Sequence, residues 1–205
     1  MRAILPLVAL TIAATAAPLR ADPLVPPTVD YVQDVEITRD SDHSFAVPAR
    51  YIVGGHHIRV EYVGIVTLVD LDRRQTTAMI PRVRTYWWPK PLIDGVKDSR
   101  RWVGVEAQSA EEIGKDTVLG HAVTKYRVRG TVFETRTPFE GEVWTTAENI
   151  VMRIDGIGRG ADGFSAPIKV TTVQLQIGGV DQGLLSVPAT FARMPRSNPG
   201  PRQQN

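Results

Sequence analysis

Cysteine is absent from the 205-residue chain. That excludes disulfides, thiolate nucleophiles and thiolate metal ligands. It also excludes the acylated cysteine that follows the signal of a bacterial lipoprotein. Stability must come from core burial, and the length is ample for one domain. Histidine is scarce: His43, His56, His57 and His121 are all there is. Clustered charge is lacking as well. The net charge is +2 with acids and bases interspersed, so the basic face that nucleic-acid binding needs is missing, although the pI is near 9.0. Sustained helical periodicity is missing too. Long apolar runs are limited to Ile4–Ala17.

That run follows the basic Arg2 and precedes small residues. This is the layout of a secretory signal peptide, too short to span a bilayer comfortably. Cleavage after Ala16 or after Ala21 fits, and the second, which leaves Asp22 at the new N-terminus, is preferred. The expected organisation is a signal peptide over 1–21, a single β-rich domain over 22–194 and a disordered basic tail over 195–205. The tail, within "RMPRSNPGPRQQN", has no apolar periodicity. The expected location is the periplasm, reached by a cleavable signal, and the expected state is a monomer.

Between the ends the pattern is strand after strand. "TVDYVQDVEIT" alternates apolar and polar positions. "HIRVEYVGIVTLVDL" sets Ile58, Val60 and Tyr62 against Arg59 and Glu61, the period-two signature of a half-buried strand, with Gly64 as a bend or bulge within it. Asp70 to Gln75 reads as a charged turn. "GHAVTKYRVRGTVFE" and "APIKVTTVQLQIG" read as long strands, and "GEVWTTAENIVMRID" as a hairpin. Helical signal is confined to "SAEE", where Ser109 and Glu112 fit a capping box stopped by Gly114, and to the short "DQGLLSV". The chain is therefore mostly antiparallel β.

The constellations that could carry chemistry fail one by one. His56 and His57 in "YIVGGHHIRVEY" are adjacent on a strand, so they point to opposite faces and cannot share a metal without distortion. They read as polar residues leaving the tight Gly54-Gly55 turn. "GFSAP" around Ser165 lacks the second glycine of a nucleophile elbow. Glu140 and Glu142 share a strand face, the arrangement of a glycosidase pair, but alternating charges on a strand ordinarily face water. "GIGRGADG" lacks the Lys-Ser/Thr end of a phosphate loop and reads as a mobile connection. No catalytic residue, metal ligand or cofactor is expected.

The aromatics carry more information. "RTYWWPKP" holds Trp87 and Trp88, with Trp102 and Trp144 further on. Adjacent tryptophans on a strand face opposite sides, so one of them meets solvent, a ligand or a covering loop. "PKPLIDGVKDSRRW" reads as a long loop that could act as a lid. Met79, Trp87, Trp88, Trp102, Trp144 and Met152 are the candidate lining of an apolar cleft.

The ordered series "YIVGGHHIRVEY", "LVDLDRRQTTAMIPRVRTYW", "VLGHAVTKYRV", "GEVWTTAENIVMRID" and "GLLSVPATFARM" resembles the superfamily of the periplasmic lipoprotein carrier LolA and its receptor LolB. It is most similar to that superfamily's uncharacterised branch. Leu185 and Thr190 replace the usual aromatic and glycine of the closing segment. The resemblance implies a strongly curved antiparallel half-barrel, LolA-like, with one or two short helices or loops covering its concave face. It implies a carrier of an acyl chain, lipid or lipidated polypeptide, with lipoproteins or envelope proteins as partners and no catalytic residues. Two alternatives stand beside it. One is an envelope protein–protein interaction module without an open cavity, and the other a hydrolase of unrecognised type.

Overall fold

The computed structural model describes residues 24, 27–38, 46–91, 105–132, 137–160 and 165–195. Branched and aromatic side chains fit a pleated, half-buried surface, which is why the segments rich in Val, Ile, Thr and Tyr become strands. In chain order these are β1 (Tyr31–Thr38), β2 (Val47–Gly54), β3 (His57–Tyr62), β4 (Ile65–Asp70), β5 (Gln75–Ile80), β6 (Thr85–Tyr86) and β7 (Lys90–Pro91). They continue as β8 (Val105–Val118), β9 (His121–Val132), β10 (Pro138–Thr145), β11 (Val151–Arg159), β12 (Ser165–Ile177) and β13 (Ala192–Arg193).

All of them join one sheet, built from two antiparallel meanders. One runs outward from β1 to β6, the other comes in from β8 to β12. The two meet where β12 pairs with β1, so the first strand lies inside the sheet. β7 pairs with β5, and β13 adds to β6 in parallel.

Val35 of β1 and Tyr51 of β2 share one buried cluster with Val105 of β8, Val128 of β9 and Val143 of β10. These strands stand far apart in the sheet order, so the sheet curls until one face closes on itself. A second cluster continues the interior with Tyr31, Val53, Ile58, Val69, Ile150 and Met152. The mainly β, strongly curved half-barrel expected from the sequence is the fold observed.

Alternate residues of a strand face opposite sides. Val69 belongs to the interior, so Val66 and Leu68 face outward, and with Met79 they form a third buried cluster. The C-terminal segment covers it. A 3-10 turn, Gln182–Leu185, begins where the Asp181 side chain accepts the Gly183 N–H at 2.8 Å. Arg59 donates to the Leu184 carbonyl at 3.1 Å. Val187 and Phe191 then lie against the third cluster. This turn is the one expected from "DQGLLSV".

Three local expectations are corrected. "SAEE" is not helical: it lies within β8, whose ladder to β9 runs the length of the strand with two register shifts, at Ala107/Ser109 and Glu112/Gly114. Ladder pairing outweighs a capping box with no apolar helix face behind it. Gly64 is not a bend within a strand. Val63 and Gly64 both take positive φ, 48° and 75°, and form the two-residue turn joining β3 to β4. Gly156–Arg159 is not loop but the end of β11.

The expected signal peptide lies outside the described residues, as do 196–205 of the tail and 92–102 of the expected lid loop. Among the described residues, no helix is long and apolar enough to cross a membrane.

Candidate functional site

The β3–β4 turn projects apolar side chains into solvent. Tyr62 is 39% exposed, Val63 68% and Ile65 44%. One side of this turn walls an open groove of about 560 Å³, whose other apolar contributors include Val35, Ala49, Val66 and Pro81. Ile65 also borders a second depression, of about 250 Å³, floored by Ala78 and walled by Trp87 and Trp88. The two depressions therefore lie side by side, with Ile65 bordering both.

The tryptophans are held by β5 and by the C-terminal segment. Trp87 donates its backbone N–H to the Ala78 carbonyl of β5 at 2.9 Å. The Trp88 ring has the Arg193 guanidinium over it at 4.1 Å from the ring centre, a cation–π contact. Arg193 is placed by β13: Ala192 donates to the Arg84 carbonyl and Met194 to the Tyr86 carbonyl, each at 2.8 Å. Its Nε also donates to the Tyr86 hydroxyl at 3.2 Å.

Charge around the depressions is unevenly distributed. The acids of the groove stand on β1 and β3. Asp34 is paired with Arg50 at 3.6 Å and Glu61 with Arg59 at 2.6 Å. At the opposite wall the 3-10 turn Pro81–Val83 carries Arg82 into the groove, and Arg84 closes it with φ 51° and its N–H on the Pro81 carbonyl. Lys90 lines the tryptophan depression. Among the described residues, Arg82, Arg84 and Lys90 have no carboxylate partner.

Of the lining residues expected from sequence, the structure brings Trp87 and Trp88 together. Met79 is 1% exposed and sits beneath Val187 and Phe191 on the outward face. Met152 is fully buried in the second cluster. Trp144 is 4% exposed, its ring between Lys125 at 4.9 Å and Arg153 at 4.8 Å, with its indole N–H donated to Asp116 at 3.1 Å. Trp102 lies outside the described residues. Sequence reading missed Tyr62, Val63 and Ile65. The one signal was Gly64, which reads as a bend within a strand.

The remaining polar groups make local pairs. His56 contacts Asp72, and His57 lies 3.8 Å from Asp70, which ties the β2–β3 turn to the β4–β5 turn. Glu140 and Glu142 bridge to Arg129 and Lys125 across the β9–β10 ladder. Among the described residues, no group of three or more His, Cys, Asp or Glu is placed to hold a metal ion.

No family model matches the chain, and no curated protein matches it. Solved structures similar to it include MucB in complex with MucA(peri), at 12% identity and a TM-score of 0.41, over 80% of this chain and 56% of MucB. PNGF-II is similar at 11% identity and 0.41, over 77% of this chain and 29% of that one. The chain thus spans little more than half of the first and under a third of the second. A LolA superfamily protein from Nitrosomonas europaea is similar at 10% identity and a TM-score of 0.41, over 81% of this chain and 94% of its own. Likeness of this degree assigns no function.

Proposed function

We propose that this protein is a non-enzymatic periplasmic binding protein that holds an acyl chain, as a lipid or a lipidated polypeptide, in the rim depressions beside Ile65. The observation that carries the reading is the presence of two apolar depressions side by side, both bordered by Ile65. A groove of about 560 Å³ falls in the range of about 300–1,000 Å³ typical of small-molecule sites. Each methylene withdrawn from water there contributes about 0.8 kcal/mol. Trp87 and Trp88 are the lining residues proposed for the smaller depression. The chain would reach the periplasm by the signal at 1–21.

The test is native mass spectrometry of the mature protein drawn gently from a periplasmic extract, joined to displacement of an apolar fluorescent probe. The expected result is an adduct of fatty-acid or phospholipid mass, with probe affinity lowered about tenfold or more in Ile65→Asp, since a carboxylate there must be desolvated. A clean apo mass with no probe binding overturns the proposal.

A second reading is favoured by a separate observation. The interior clusters are filled by side chains at 0–9% exposure, while Trp88 stays 37% exposed at the rim. An exposed aromatic beside a filled core is also what a protein-docking surface presents. Capture of an envelope protein by the wild type and not by Trp88→Ala, with no lipid adduct in either, would establish it.

A further inference from the structure

The interior holds a polar side chain that the rim depressions do not use. Gln33 stands on the interior face of β1, between Tyr31 of the second cluster and Val35 of the first, and is 1% exposed. It lies where the sheet parts. The β11–β12 ladder ends at Arg153 and Thr171, so Val151 and Thr172 fall just beyond it. Each flanking ladder skips a residue there: Val173 between β1 and β12, and Met152 between β10 and β11. The peptide group of a skipped residue has no ladder partner. Gln33 spans the gap. Its Nε2 donates to the Val151 carbonyl of β11 at 2.6 Å and to Thr172 Oγ1 of β12 at 2.7 Å. Its Oε1 is buried and, among the described residues, meets no donor. Turning the amide over would set the oxygen against the Val151 carbonyl, acceptor against acceptor.

We infer that a single buried water molecule is bound at this seam, donating to Gln33 Oε1 and accepting from the Thr172 hydroxyl. Leaving a buried acceptor unmet costs more than a typical hydrogen bond gains, so such groups are nearly always satisfied. Oε1 and Nε2 belong to one carboxamide, so one water can span from Oε1 to the hydroxyl that Nε2 contacts. That hydroxyl oxygen accepts from Nε2, which leaves its own proton to donate. The peptide of Met152, next to Val151 and on a residue at 0% exposure, offers a further partner; a buried water ordinarily takes about three. The clusters on either side are packed at 0–9% exposure, so the occupant is water-sized. An acyl chain would bring no donor, and the water is bound whether or not a lipid occupies the rim. It also stands behind the larger groove: Val173, the skipped residue of β12, is 47% exposed and lines that groove together with Asp34.

The experiment joins a high-resolution crystal structure of the protein to nuclear Overhauser transfer from water to its amides in solution. The expected result is an ordered water about 2.8 Å from Gln33 Oε1, with cross-peaks of the sign given by a long-lived water at the Thr172 and Met152 amide protons. Both signals should be lost in Gln33→Met, which keeps the length of the side chain without its polar atoms. Thr172→Val removes the other partner and takes its place if Gln33→Met does not fold. An Oε1 that meets no donor in the crystal, with no such cross-peaks in solution, overturns the inference. A water that persists unchanged in the variants overturns Gln33 and Thr172 as its holders. A donor belonging to a larger bound molecule at Oε1 overturns the water and makes the seam a ligand site.

Discussion

Asp116 lies near the end of β8, where its carboxylate accepts the Thr117 N–H at 2.7 Å and the Trp144 indole N–H at 3.1 Å. The Thr117 hydrogen bond, then that of Trp144, hold its pKa below the ordinary 3.8, with Lys125 and Arg153 adding smaller effects in the same direction. A carboxyl whose folded value is depressed contributes stability that is fully present above its unfolded value and is lost as pH falls through the lower folded one. Urea midpoints measured from about pH 6 down to about pH 2 should therefore fall less steeply in Asp116→Asn than in the wild type. An identical slope in both would remove Asp116 from the acid response. Individual side chains were unevenly legible in the sequence. The glycine turn ahead of β3 could be read directly, but not its register: Gly55 and His56 form it, Gly54 ends β2, and only His57 lies on the strand. The β3–β4 turn could not, because Val63 is β-branched and occupies a left-handed conformation that such residues rarely adopt. Two of the exposed groups that define the candidate site, Val63 and Ile65, were hidden inside what looked like a strand.

Elements were legible where periodicity was local and failed where pairing decided. The β9, β10–β11 and β12 segments announce themselves by alternation. β8 does not, since "SAEEIGKD" alternates poorly and is made a strand by β9 alongside it. The C-terminal segment was legible as a short turn, but its role as cover for Val66, Leu68 and Met79 was not, since nothing in it names its target face. Leu185, 7% exposed, anchors this segment against β2 and β3. Leu185→Ala should destabilise the protein by about 2–3 kcal/mol, as large-to-small changes at buried sites do. Equilibrium urea unfolding measures this. A loss below about 0.5 kcal/mol would mean the segment rests on the sheet without supporting it.

The sheet as a whole was predictable in class and not in curvature. Alternation tells which residues share a face, but not that Tyr51 and Val105 would fall in one buried cluster. Among the described residues, its outer strand β8 has one ladder partner, β9. The free side is defended by two register shifts and by Glu106, Glu111, Glu112, Lys115 and Asp116, which discourage another strand from docking. Hydrogen exchange should rank the strands accordingly. Amides of β1 and β12 should be slowest, and those on the free side of β8 should exchange at rates approaching unfolded peptide. Uniform protection across β8 would mean that something pairs with it. The central position of β1 also has a consequence in time. Tyr31 pairs with Ile177, and at roughly 5–20 residues per second a ribosome needs on the order of ten seconds to make the chain between them. Throughout that interval one side of β1 has no neighbour to close against. A chain arranged this way remains threadable until its last long strand has been made.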